Sequence, residues 1–310
     1  GTTAGATTVA SGAAVQVDGS GLTIAELITL NGDGVSSGGA LRNLANANSW
    51  TGAITLGSAS RINADAGTLT IATGGITGSG LNLTVGGVGN TTISAVLGTG
   101  TGTLTKDGAG TLTLSGANTY SGTTTLTAGT LRAQTNAAAL GTGTLTLNGG
   151  TLQLASDTAT TFGRNTTVGG AVTIESDRVA AGAGVTHTLG TLALGANTLT
   201  VNTDATVTSG TAGLTFGATT TGGATLNSGA SVLTTLGTVT GTGLALTVGG
   251  AGNTTLSAGL NTAAGGTLIK NGTGTLTLAA AGNYTGATTV NVGVVDVQNA
   301  HWPAVPDHEQ

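Results

Sequence analysis

No cysteine occurs in the 310 residues, so this chain has neither a disulfide framework nor thiolate ligands for a metal. A chain without thiols cannot be cross-linked in an oxidising compartment, which suits export. Methionine is also absent, prolines number 2 and aromatics are 2%. The buried material must therefore be Leu, Val, Ile and Ala, which fill a thick globular core poorly and a thin, renewed one easily. Charged residues are 6%, against about 25% in an average domain. The slight net charge of −5 gives no basic footprint for nucleic acid and no polybasic anchor for a membrane. At 38% hydrophobic residues, the composition is not that of disorder, which couples high charge to little buriable surface. No apolar run approaches the ~18 residues of a membrane helix. No charged-then-apolar leader opens the sequence, so a secreted form is expected to have lost its signal already.

What is abundant is alternation. Thr68-Leu69-Thr70-Ile71, Thr111-Leu112-Thr113-Leu114, Thr144-Leu145-Thr146-Leu147, Thr191-Leu192-Ala193-Leu194 and Thr275-Leu276-Thr277-Leu278 place an aliphatic on every second position. Period two predicts half-buried strands with Leu inside and Thr outside. Thr is β-branched and favours a pleated surface, so the outer face is built from strand formers as well. Gly, Asn, Asp and Ser punctuate the strands, as in Asn148-Gly149-Gly150 and Asn31-Gly32-Asp33-Gly34, and supply the corners of a turning chain. No segment carries a capped helical stripe, so the helix content is expected near zero.

The sequence also repeats. Leu104–Ala133 and Leu268–Val297 align without a gap, with close to half of their positions identical. Just upstream, Leu81–Asn90 (LNLTVGGVGN) recurs as Leu244–Asn253 (LALTVGGAGN), extending the units to 81–133 and 244–297. A fainter third unit near 44–54 is suggested by Asn48-Ser49-Trp50-Thr51-Gly52, which parallels Asn118-Thr119-Tyr120-Ser121-Gly122. A sandwich asks for different residues at each depth and for large aromatics between its sheets, whereas a solenoid asks every coil for the same small set. The expected fold is therefore all-β, a single-stranded parallel β-helix over residues 1–299 with coils of roughly 20–25 residues. A chain of this length then makes about 13–15 coils, stacked about 4.8 Å apart.

The signature Lys106, Gly108, Gly110, Leu112, Leu114, Tyr120, Gly122 and Gly129 returns as Lys270, Gly272, Gly274, Leu276, Leu278, Tyr284, Gly286 and Gly293. It resembles the passenger-associated transport repeat of Gram-negative autotransporters. The two copies cover about a fifth of the chain, and the second departs at its end, where Val294-Val295-Asp296 replaces Gly-Thr-Leu. The resemblance implies a right-handed β-helix passenger at the cell surface, in which the repeat helps folding during outer-membrane export. Identical coils make local contacts, so such a rod can grow coil by coil as it emerges. Six aromatics in all cannot furnish the aromatic girdles of a membrane barrel, so this is passenger material.

Few residues invite chemistry. Glycan-cleaving β-helices need paired carboxylates on one face. The densest group is Glu175-Ser176-Asp177-Arg178, where alternation puts Glu175 and Asp177 together on the outer face beside an inward Ile174. The pair stands without an aromatic platform and reads as a solvated strand edge. Asn31-Gly32-Asp33-Gly34 hints at a calcium loop, but calcium needs six or more oxygens and calcium β-helices repeat their units in tandem, so a turn is expected. His187 reads as an outward surface residue. Lys106 and Lys270 read as solvated gatekeepers on an aggregation-prone edge, with anionic-glycan binding as the sharper alternative. Trp50, Tyr120 and Tyr284 are expected at one corner of the coil, fixing its register; exposed, they would be sugar-stacking platforms. No catalytic residue, cofactor or metal site is expected.

The tail 300–310, AHWPAVPDHEQ, holds both prolines and cannot continue a paired sheet. It reads as a linker, as a cap, or as a segment that docks on another copy through Trp302, Pro303 and Pro306. A metal site from His301, Asp307 and His308 has nothing to fix its geometry. At the other end Gly1–Gly21 already reads as coil, with Val9, Val15 and Val17 alternating. A bare end coil exposes unpaired backbone, so neighbouring sequence or another copy is expected there, and head-to-tail addition that does not close gives filaments. The expected function is structural and adhesive at or beyond a bacterial surface, with host or surface glycans and proteins as partners, no nucleic acid and no membrane span within the chain. The alternative is a subunit of an extracellular filament joined end to end, and a glycan-active enzyme is the remote one.

Overall fold

The computed structural model describes residues 5–241, 243, 245–262 and 265–298. The calls on Trp302, Pro303, Pro306, His301, Asp307 and His308 lie outside the described residues. The chain divides into two compact units, Gly1–Ala155 and Ser156–Gln310. Both are all-β and parallel, the chain making about 14 solenoid turns. Among the described residues a single turn of 3-10 helix, Val35–Ser37, interrupts the strands.

In the first unit each coil passes through three narrow faces. The first stacks Val15–Val17, Leu41–Asn43, the second half of Ile54–Ala64, Leu83–Gly86, Leu104–Lys106, Thr124–Leu126 and Leu145–Leu147. The second stacks Thr23–Ile24, Ala47–Trp50, Thr68–Ile71, Asn90–Ile93, Thr111–Leu114, Thr130–Gln134 and Thr151–Ala155. The third runs through Thr7–Val9, Ile28–Gly32, the first half of Ile54–Ala64, Ile76–Thr77 and Leu97–Gly98. Pairing in register piles like on like. Leu69, Thr91, Leu112, Leu131 and Leu152 form one buried column of the second face, while Thr84, Thr105, Thr125 and Thr146 form an outward rank on the first. Each buried Leu removes roughly 1.5–3 kcal/mol worth of side chain from water, and each rung of backbone pairing satisfies groups that the thin core could not hide.

The second unit is wound the same way. One face stacks Val172–Asp177, Thr198–Asn202, Thr225–Ser228, Leu246–Gly250, Leu268–Lys270 and Thr288–Val290. The next stacks Thr186–Thr188, Ala212–Thr215, Val232–Leu236, Asn253–Leu256, Thr275–Leu278 and Val294–Val297. Short strands from Thr166–Val168 to Leu260–Asn261 make the third. Here some coils exceed the expected length: Val172 pairs with Leu199, 27 residues on. The extra residues form a side ladder, Gly182–Ala183 against Val207–Ser209.

The proposed third repeat near 44–54 is out of register. Trp50 pairs with Ile71, Ile71 with Ile93 and Ile93 with Leu114, so Trp50 occupies the column of Leu114 on the second face. Tyr120 instead follows the third face, where Thr119 N–H donates to Leu97 O and Thr142 N–H to Tyr120 O. The two aromatics do not share a corner.

Candidate functional site, a buried lysine and tyrosine in each repeat

Lys106 lies in the inward column Ile62, Val85, Lys106, Leu126, Leu147. It is 2% exposed, and Lys270, between Val248 and Val290 in register, is 1% exposed. The solvated-gatekeeper reading is therefore wrong for both. Leu104-Thr105-Lys106 is itself an in-out-in triplet, and the alternation carries the lysine inside. Its stem lines the core as a hydrocarbon would.

The ammonium is met by carbonyls. Lys106 Nζ donates to Asp107 O at 2.6 Å and Gly108 O at 2.8 Å in its own coil, and to Ala128 O at 3.1 Å in the following one. Lys270 Nζ repeats the pattern with Asn271 O at 3.0 Å, Gly272 O at 2.6 Å and Val292 O at 3.4 Å. Three N–H donors thus find three acceptors. Burial pushes Lys106 down to about 8, with Asp107 opposing and Arg61 adding to the shift, so the amine is cationic at neutral pH. Burial lowers Lys270 as well.

The glycines of the signature make room for this clasp. Gly129 has φ +69°, and a Cβ there would stand 2.4 Å from Gly108 O, 2.5 Å from Gly110 O and 2.8 Å from Lys106 Nζ. Gly293 would meet Gly272 O, Gly274 O and Lys270 Nζ in the same way. No side chain fits between the lysine and the carbonyls it gathers.

The tyrosines close the third face. Tyr120 is fully buried and its hydroxyl lies 2.6 Å from Thr124 Oγ1, which donates onward to Leu140 O. Tyr284 and Thr288 repeat the pair at 2.8 Å. Nearby, Asn118 Oδ1 accepts from Leu97 N–H and its amide donates to Ala139 O, so one side chain ties three successive coils.

One difference between the copies is electrostatic. Asp107 accepts a bidentate pair from Arg61, 2.7 Å on each side, reaching across the intervening coil at Gly86. A Cβ on Gly86 would sit 2.1 Å from Asp107 Oδ1. Arg61 also donates to Asn63, Asn63 to Asp65, and Arg42 to Asp65, making a polar seam along the unit. Aspartate gives way to Asn271 in the second copy, which accepts from Asn291 Nδ2. Nothing in the sequence spacing pointed to this seam, because Arg61 and Asp107 lie two coils apart.

The remaining candidates are not assembled into a site. Asp177 is buried, not outward beside Glu175, because alternation holds through Ser176 and fails at Asp177, so that the two are buried in succession. His187 is buried too, stacked on Leu214 between outward Thr186 and Thr188. Asn31 donates to Val9 O, and Gly32 N–H donates to Ser58 Oγ. Among the described residues no group of three His, Asp or Glu side chains is placed to hold a metal. Trp50 is buried rather than exposed, and it lines a pocket of about 390 Å³ together with Thr7, Gln16, Asp18 and Glu26. No helix among the described residues is long and apolar enough to cross a membrane.

Comparison with known families matches the passenger-associated-transport-repeat model twice, at residues 104–133 and 268–297. No curated protein and no solved structure matches the chain. The two matched segments are the two lysine-tyrosine coils, and the chain carries the transport repeat of autotransporter passengers, twice, on a parallel β-solenoid.

Proposed function

We propose that the chain is a non-catalytic, structural and adhesive passenger displayed on, or released from, a Gram-negative surface, and that its repeats are coil-closing clasps that assist folding during export. The observation that carries this reading is which residues recur. Lys106 recurs as Lys270, and in both copies the ammonium reaches a carbonyl of the following coil. Gly129 recurs as Gly293, which leaves room for that contact, and Tyr120 recurs as Tyr284 with its hydroxyl on Thr124 and Thr288. Outward threonines recur as well, Thr111 as Thr275 and Thr113 as Thr277, while Arg132 gives way to Asp296. Repetition of the lysine contact from one coil to the next suits a fold that grows by local contacts. The outward threonine ranks, Thr84 to Thr146 and Thr188-Thr215-Thr235-Thr255-Thr277, would supply contact surface to glycans or proteins.

The test fuses the chain to one outer-membrane barrel and compares surface yield of wild type with the double variant Lys106→Met, Lys270→Met. A lower surface yield at equal synthesis is expected, and an unchanged yield would remove the export role. For adhesion, purified chain is applied to host-cell and glycan surfaces beside Thr105→Lys, Thr125→Lys; equal retention of both ends the adhesive reading.

The second reading is a subunit of an end-to-end extracellular filament, which in-register parallel pairing from coil to coil would allow. Electron microscopy of the purified chain separates the two: long uniform fibres favour the filament, isolated particles the passenger.

A further inference from the structure

Strand Val172–Asp177 ends in a buried acid. The Asp177 carbonyl accepts from Ser156 N–H, and His187 Nε2 lies 2.9 Å from the same oxygen. His187 Nδ1 accepts from Thr160 N–H, so Nε2 carries the proton and the ring is neutral. Asp177 Oδ1 accepts from Asp204 N–H at 2.7 Å and from the Thr203 hydroxyl at 3.2 Å. Oδ2 is buried with no partner. The charged groups that face this carboxyl are both negative: Glu175 on its own strand and Asp204 on the opposing turn. Asp204 Oδ1 is itself engaged by Thr206 N–H and hydroxyl. The guanidinium of Arg178, the next residue, is directed to Ala180 O, Ala183 O and Asp157.

A carboxylate in this position would be a buried charge with one oxygen unsolvated and two like charges beside it, among the most costly arrangements a protein can hold. We propose that Asp177 is a proton-operated latch: its carboxyl is neutral while the turn Thr203–Thr206 is docked on it, and ionisation releases that turn.

Burial, helped by Asp204 and Glu175, pushes Asp177 up to about 7 from an ordinary 3.8, against the pull of the Asp204 N–H and the Thr203 hydroxyl. A raised carboxyl stabilises the docked state fully below about pH 4 and loses that contribution as pH rises to about 7. His187, lowered by burial, acts in the opposite sense: its contribution is present above its ordinary value and lost on acidification. The whole-chain pH profile mixes the two, so the measurement must isolate Asp177.

The experiment is amide hydrogen exchange of Asp204 and Thr206 in the full chain at pH 5 and pH 8, corrected for intrinsic rates, in wild type and Asp177→Asn. Wild-type protection at these amides should fall by about 10–100-fold at pH 8, while Leu199 on the paired strand holds. In Asp177→Asn, which keeps the acceptor and removes the charge, the loss should vanish. Equal protection at both pH values in wild type, or the same loss in the variant, overturns the latch. Should Asp177→Asn fail to fold, the ¹³C carboxyl titration of Asp177 in wild type decides: a midpoint near 7 supports the proposal, and one in the usual aspartate range refutes it.

Discussion

Replacing Lys106 by Met keeps an unbranched stem in the column between Val85 and Leu126 and deletes only the ammonium. Three carbonyls, of Asp107, Gly108 and Ala128, then lose their donor. A buried acceptor left unpaired costs about 1–3 kcal/mol, which sets a loss of roughly 3–9 kcal/mol before compensation. Against this stands the desolvation of the ammonium, several kcal/mol in real proteins, which Met does not incur. The balance is a net destabilisation of about 2–4 kcal/mol. Lys106→Ala should cost about 2–4 kcal/mol more, from the emptied column. Because coils in a solenoid open semi-independently, the suitable assay is native-state exchange or limited proteolysis across residues 104–133 beside urea unfolding. The Met variant should open at that coil first, with the second unit unaffected. If Lys106→Met is as stable as wild type or more so, the carbonyl clasp is not what holds the coil, and the lysine is merely tolerated.

Three further outcomes follow from the same geometry. The lowered Lys106 makes its contribution largest above the ordinary value of 10.5 and diminished as pH falls to about 8, so wild type should gain on Lys106→Met in urea midpoints taken from pH 8 to 10.5. Gly129→Ala forces a side chain into φ +69° and onto two carbonyls and Nζ; a loss of about 2–4 kcal/mol, read from the thermal midpoint, is expected, and a neutral result would refute the packing argument. Asp107→Asn removes one partner of a bidentate pair that is 18% and 33% exposed; with that exposure the cost should stay within about 1 kcal/mol and shrink in high salt.

Period two alone was enough to read the strands, their inward aliphatics and the outward threonines, because a one-residue slip would expose every Leu of a column. Leu112 and Leu276 sit where alternation places them, and the Lys-Gly-Tyr signature marks both clasps. The failures have physical causes. Lys106 and Lys270 obeyed the alternation, but the charge suggested a solvated residue, and the acceptors that make burial affordable are backbone atoms with no sequence signature. Asp177 escaped because the strand keeps its alternation through Ser176 and breaks it only at Asp177. His187 lies between two outward threonines, a pattern that does place it inside. Trp50 resembled Tyr120 in its neighbours but not in its pairing partner, and similarity of a short word does not fix register. The 27-residue windings were hidden because a side ladder consumes residues without adding a rung.

The clasp also has an order of events built into it. Lys106 finds two of its acceptors within two residues, but the third belongs to Ala128, 22 positions along, and Lys270 waits over the same interval for Val292. A partly wound segment therefore leaves the ammonium one acceptor short, and its dehydration completes only when both coils are in place. Whichever terminus leads, that last contact works as a one-way tally, recording that another lap has been laid down and making its withdrawal costly.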